Sequence, residues 1–99
     1  MKQIIIIYEF ESSNAVKVPA FKEMIRRYGK WAFITENACI IWTELSVVSV
    51  RDFLKTGISN SDKLFVSEVS APAAWTTNIG NVVAEYIIKN LTDTKKNIE

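Results

Sequence analysis

An α+β fold, with helices packed on one antiparallel sheet, is what this chain predicts, and three observations predict it. The chain opens on Met1-Lys2-Gln3-Ile4-Ile5-Ile6-Ile7-Tyr8-Glu9-Phe10-Glu11, a strand apolar on both faces that stops abruptly at carboxylates. A strand buried on both sides belongs in the middle of a sheet, covered above and below. Segments with strand-like patterning alternate with segments of helical spacing, in the order strand, helix, two strands, helix, strand. The two middle strands are separated only by Glu36-Asn37, and asparagine there tolerates the positive φ that tight hairpins favour.

After the first strand, Ser12-Ser13-Asn14 reads as a loop. Pro19 suits the first turn of a helix, where its missing N–H costs little. Phe21, Met24, Ile25 and Tyr28 then fall at i, i+3, i+4 and i+7, one apolar stripe, with Lys22, Glu23, Arg26 and Arg27 outside. Gly29 is placed to end this helix. Residues 30–35 and Ala38–Thr43 are strands rich in aromatic and β-branched residues. Ser46 caps a second helix that carries Val47, Val50, Phe53 and Leu54 inward and closes at Gly57. Ser59-Asn60-Ser61-Asp62 is a loop before a fourth strand, Lys63–Val69. A loop with Pro72 and Trp75 leads to a last helix capped by Asn78, whose apolar face is Ile79, Val82, Val83, Tyr86 and Ile87. The order βαββαβ is that of a ferredoxin-like sandwich, here with an added C-terminal helix and with the first strand central between the third and fourth. Residues 1–91 read as a single domain and 92–99 as a loose polar tail.

Composition removes several classes of function. Ninety-nine residues, 48% hydrophobic and 23% charged, suit one globular domain. Twelve basic residues against eleven acidic ones give no strong overall field, so nucleic-acid binding needs a local patch. Without histidine, and with Cys39 as the only cysteine, a His/Cys zinc centre and Ser-His-Asp or Cys-His mechanisms are excluded. Cys39 sits in an apolar run and reads as a small buried hydrophobe of a reduced, cytoplasmic protein. The opening apolar run is too short for a signal peptide or a membrane span, since charge arrives at Glu9. Both faces of the first, third and fourth strands are apolar, so the face away from the helices needs a cover. A second copy packed sheet to sheet supplies one, the C-terminal helix another, and a homodimer is the expectation.

Two groups of side chains carry candidate chemistry. With the first and third strands taken as parallel, Glu9, Glu11, Glu44 and Asp62 gather at one edge of the sheet. Clustered carboxylates suit Mg2+ or Mn2+, and a metal held there polarises a phosphodiester and acidifies a bound water. Tyr8, Ser12 and Ser13 lie close enough in sequence to orient a phosphate or that water. The plain alternative is that acidic residues collect at strand ends because strand ends are wet. Separately, Lys22, Arg26, Arg27 and Lys30 cluster on and just beyond the exposed side of the first helix, as a phosphate grip or simply as a solvated helix face. Trp31 and Trp42 lie inside strand patterns and read as core or interface anchors, which leaves Trp75 the freest to stack on bases. Gly29, Gly57 and Gly80 all lie at helix margins, so there is no glycine-rich phosphate loop.

The segments Ile5-Ile6-Ile7-Tyr8-Glu9-Phe10, Tyr28-Gly29-Lys30-Trp31-Ala32 and Asn60-Ser61-Asp62-Lys63-Leu64-Phe65-Val66-Ser67-Glu68-Val69, with Ala73-Ala74-Trp75 after them, resemble the SinR-like small proteins. That group is related to the small CRISPR-associated dimer of the spacer-acquisition complex and to the VapD endoribonucleases. The resemblance covers most of residues 3–91 and implies a ferredoxin-like homodimer. For the wider superfamily it implies metal-dependent nuclease activity or nucleic-acid binding at the dimer cleft. There the first strand ends in a tyrosine followed by an aspartate, the proposed metal ligand; Tyr8 and Glu9 occupy those positions here. The CRISPR-associated members end in a strand that crosses to the partner, whereas this chain reads as ending in a helix. Three readings follow: a homodimer that binds RNA or DNA without catalysis, a Mg- or Mn-dependent endoribonuclease using Glu9 across the two-fold axis with Tyr8 or Ser12 assisting, and a non-catalytic protein-interaction module. An acidic cluster favours the endonuclease. A Glu9 carboxylate paired with Lys63 or Arg51 favours the non-catalytic readings.

Overall fold

The computed structural model describes residues 1–11, 17–70, 74–76, 79, 80, 83–85 and 87. The chain forms two compact units, Met1–Glu68 and Val69–Glu99. The first holds β1 (Lys2–Glu9), α1 (Lys17–Arg26), β2 (Trp31–Thr35), β3 (Ala38–Thr43), α2 (Val47–Lys55) and all but the last residue of β4 (Lys63–Val69). This is an α+β arrangement with one four-stranded antiparallel sheet in the order β2-β3-β1-β4. The isoleucine strand is therefore central, between β3 and β4, as its two-sided apolarity requires.

One expectation about this sheet is overturned. β1 and β3 are antiparallel, not parallel, with Lys2 opposite Thr43, Ile4 opposite Ile41 and Ile6 opposite Cys39. The reason is topological. The chain returns along α1, so β2 runs with β1, and the tight hairpin then reverses β3 against both. The hairpin itself turns without the positive φ that Asn37 was expected to take, since no described non-glycine residue has one. Instead the ladder shifts register between Phe33 and Thr35. The Asn37 N–H donates to Thr35 Oγ1 at 3.1 Å, and its amide Nδ2 donates to the Tyr8 carbonyl at 3.0 Å.

Opposed residues of an antiparallel pair share a face, so the register assigns the core directly. Ile4, Ile6 and Tyr8 of β1 lie with Cys39 and Ile41 of β3, and Phe21, Ile25, Val50 and Leu54 of the helices complete one buried cluster. Burying an isoleucine or leucine fully contributes about 1.5–3 kcal/mol relative to leaving it exposed, so this cluster is the main source of stability. α1 buries Phe21 and Ile25 with Met24 and Tyr28 packed beside them, as its spacing predicts. α2 starts at Ser46, whose Oγ accepts the Ser49 N–H at 3.1 Å. Gly29 takes φ +86° just after α1, the left-handed conformation that favours glycine at a helix end. Gly57 serves a close approach instead: a Cβ there would come within 2.5 Å of Met24 Sδ.

The face of the sheet away from the helices is apolar too, and unevenly exposed. Ala32, Ile40 and Trp42 are buried, whereas Ile7 on β1 and Phe65 on β4 are 43% and 59% exposed. In the second unit Trp75 is partly buried, residues 83–85 and 87 are helical, and Ala84 N–H donates to the Gly80 carbonyl at 3.0 Å. The expected cap Asn78, the apolar positions Val82 and Tyr86, and the tail 92–99 lie outside the described residues. Among the described residues no helix is long and apolar enough to cross a membrane.

Ile6→Ala is expected to lower unfolding free energy by about 2–5 kcal/mol, because the side chain is fully buried and its neighbours cannot close the gap. Ser46→Ala is expected to cost about 1 kcal/mol through the lost cap. Urea denaturation checks both; a cost for Ile6→Ala no larger than that of Ser46→Ala would contradict the core assignment.

Candidate functional site

The antiparallel register divides the carboxylates that were expected to gather. Glu44 follows β3 at the edge where β1 begins, and Lys2 Nζ donates to its main-chain carbonyl at 3.0 Å. Glu9 and Glu11 stand at the opposite edge, together with Asp62. The expectation that Glu44 joins Glu9 and Asp62 is thus corrected by strand direction alone.

Asp62 is the best-held carboxylate among the described residues, with a side chain only 1% exposed. It accepts from the N–H of Ser59 at 2.9 Å, the hydroxyl of Ser59 at 3.0 Å and the N–H of Glu11 at 3.0 Å, and it forms an ion pair with Lys17. The Lys17 hydrogen bond first, then those from Ser59 and Glu11, hold its carboxyl well below the usual carboxylate range. Both oxygens are spent on tying the end of β1, the start of α1 and the loop before β4 together. Glu9 is exposed, and its Oε1 lies 3.8 Å from Lys63 Nζ. Tyr8 is 2% exposed, its ring packs on Phe21 at 4.8 Å, and its hydroxyl donates to the Glu36 carbonyl at 2.7 Å. Burial pushes this phenol up to about 12, so it is a fixed neutral donor rather than a proton carrier. Ser12 and Ser13 lie outside the described residues.

A hard divalent cation needs several uncommitted oxygens converging on one point. Glu44 is at the wrong edge, Asp62 is saturated by donors, and Glu9 faces an ammonium. Among the described residues no three acidic, histidine or cysteine side chains lie close enough to hold a metal. Among the described residues, Glu9, Glu44 and Asp62 thus do not converge on one point.

The basic cluster forms a different surface. On β2, Trp31 and Phe33 lie opposite Ile41 and Cys39, so their rings face the helix layer, and they meet edge to face at 5.6 Å. β2 ends the sheet, and α1 lays Lys22 and Arg26 over these rings. The Arg26 guanidinium stands 5.3 Å from the Trp31 ring and 5.5 Å from the Phe33 ring; Lys22 Nζ stands 5.5 Å from Phe33. Each cation also has an acidic partner, Arg26 with Glu23 at 2.7 Å and Lys22 with Glu36 at 2.9 Å. The Lys22 hydrogen bond lowers the Glu36 carboxyl. Arg27 and Lys30 continue the basic surface and have no side-chain ion pair among the described residues. Trp31 is therefore both core anchor and ring platform. The sequence carried a signal for this, since Lys22 and Arg26 are spaced i, i+4 and Trp31 and Phe33 are spaced i, i+2. Trp75 belongs to the second unit.

Because the Asp62 carboxyl is lowered in the folded state, its stabilisation is complete above the ordinary aspartate value of about 3.9 and is lost as pH falls through the folded-state value. Melting temperature is expected to fall from about pH 5 downward. Asp62→Asn should melt lower at pH 7 and show a flatter acid limb, as should Lys17→Met. Thermal melts by circular dichroism from neutral to acid pH read this, and a wild-type slope in Asp62→Asn would refute it.

Set against known proteins, the sequence matches no protein-family model and no curated protein.

Proposed function

We propose that this protein is a homodimeric, non-catalytic nucleic-acid-binding protein with a ferredoxin-like fold, of the kind that the SinR-like resemblance suggests. The observation that carries the reading is the Arg26 guanidinium within cation–π distance of both Trp31 and Phe33, with Lys22 beside Phe33. Cations that track phosphates beside aromatic faces are what single-stranded nucleic acid requires of a sequence-tolerant site. A guanidinium drawn to two rings and to Glu23 is partly ordered already, so less freedom is lost when a phosphate binds. The glutamate partners do not oppose this strongly. Exposed ion pairs are weak, and an incoming phosphate competes for the same cations. Arg27 and Lys30 extend the charge beyond the end of α1.

The fold supports the homodimer through Ile7 and Phe65. They are exposed on neighbouring strands and on the same face, away from the helices, so they favour burial against a second copy. The Mg- or Mn-dependent endoribonuclease reading keeps only Glu9 and Glu11 at one edge, with Lys63 against Glu9. That pair is long and exposed and so weighs little by itself. Binding is preferred over catalysis because Glu44 stands at the other edge and the Asp62 oxygens are already engaged.

Fluorescence anisotropy with a labelled single-stranded oligonucleotide tests the reading. Arg26→Ala is expected to weaken binding about tenfold, and Arg26→Lys to recover only part of the loss, because it restores charge without the planar guanidinium. Affinity should fall steeply with salt. Glu9→Gln should bind as the wild type does, and neither should cleave RNA or DNA with Mg2+ or Mn2+. Cleavage that Glu9→Gln abolishes would establish the endonuclease instead, and light scattering at the mass of one chain would remove the dimer.

A further inference from the structure

A second feature lies on the other flank of the same helix end. Tyr28, Leu45, Ser49 and Phe53 enclose an open cavity of about 350 Å3, with Arg27 at its margin. Its walls are mainly apolar, and Tyr28 and Phe53 meet edge to face at 6.0 Å. Arg27, Tyr28 and Ser49 are among its lining residues, though the lining itself is almost wholly apolar. The Tyr28 hydroxyl makes no hydrogen bond among the described residues. The Ser49 hydroxyl is engaged only with Ser46, at 3.2 Å. The Arg27 guanidinium has no acidic partner there, and no carboxylate lines the cavity. Apolar aromatic walls beside an arginine with no acidic partner suit a ligand with a flat ring and an adjacent negative charge. That is the chemistry of a nucleotide unit.

We propose that this cavity is a base-binding subsite, taking one unstacked nucleobase of a single strand while Arg27 holds the adjoining phosphate. The inference rests on the nucleic-acid reading and deepens it, because it makes the ligand single-stranded. A base held in a duplex cannot turn into a cavity without being unpaired first. Arg26, near the Trp31 ring, is the last residue of α1, and Arg27 and Tyr28 follow it directly. A strand crossing that end would place phosphates on Arg26, Arg27 and Lys30 in turn. A long acidic peptide would find the same cations but has no flat ring for the Tyr28 and Phe53 walls.

The test compares two probes of equal length and charge, a base-bearing single-stranded oligonucleotide and a strand made wholly of abasic sugar-phosphate units. The wild type should prefer the base-bearing strand about tenfold, the increment that stacking one base supplies. Ser49→Trp fills the cavity from an exposed helix position and should abolish the preference while leaving affinity for the abasic strand unchanged. Tyr28→Phe keeps the ring wall and should keep the preference, whereas Tyr28→Ala should reduce it. Arg26→Ala should weaken both strands alike. If Ser49→Trp keeps the full preference, or the wild type shows none while binding both strands, the subsite is refuted and the nucleic-acid reading stands. If neither strand binds at low salt, both fall. Equal binding of an acidic peptide with the same loss in Ser49→Trp would assign the cavity to a protein partner and overturn the proposal.

Discussion

The antiparallel register of β1 on β3 is the constraint from which the other features follow. With Ile4 opposite Ile41 and Ile6 opposite Cys39, a single set of opposed side chains builds the core under both helices. A slip of one residue would turn Ile4, Ile6 and Tyr8 out of that core and Gln3, Ile5 and Ile7 into it, so burial pins the register. The same register fixes which chain ends share an edge. It sends Glu44 to the beginning of β1 and leaves Glu9 and Glu11 with Asp62 at its end. The distribution of charge along this sheet is thus decided by the packing of isoleucines.

That distribution separates structural from available charge. Asp62, with a 1% exposed side chain and donors on both oxygens, is spent on the fold. Tyr8 is spent in the same way, with its hydroxyl on a carbonyl and its ring between Phe10 and Phe21. Among the described residues the end of α1 carries cations that the core does not use, Arg26 beside the Trp31 and Phe33 rings with Arg27 and Lys30 beyond it. A site assembled from such groups offers hydrogen-bond donors beside ring faces, which is what the proposed polyanion-binding reading calls on.

Much of the fold was legible because apolar periodicity is local. The stripe Phe21, Met24, Ile25 and Tyr28, the Ser46 cap and the span of β4 can each be read within a dozen residues, and each is found as read. The position of β1 was also legible, since a strand with no polar face has only the centre of a sheet to occupy. Strand direction was not local in this sense. It depends on counting reversals through α1 and the hairpin, and one error there moved Glu44 across the sheet. The state of each carboxylate was hidden for a related reason. Ser59 lies three residues from Asp62, but Lys17 is 45 positions away by number and Glu11 51, so no short window contains the ammonium and the second N–H that complete its shell.

The hairpin between β2 and β3 joins these two levels. Tyr8 bonds the Glu36 carbonyl through its hydroxyl, and its backbone exchanges hydrogen bonds with Asn37 at 3.0 Å in each direction. Glu36 in turn draws Lys22 to the edge where Phe33 lies. The turn is therefore gripped by the central strand on one side and by α1 on the other. It needs no left-handed residue because side chains, rather than the turn's own φ and ψ, hold its shape. A buried tyrosine at the mouth of the isoleucine strand so determines where a lysine stands on the opposite side of the turn. The residue that resemblance would place in a catalytic centre is tied here to the hairpin turn, whose Glu36 pairs with Lys22 beside the Phe33 ring.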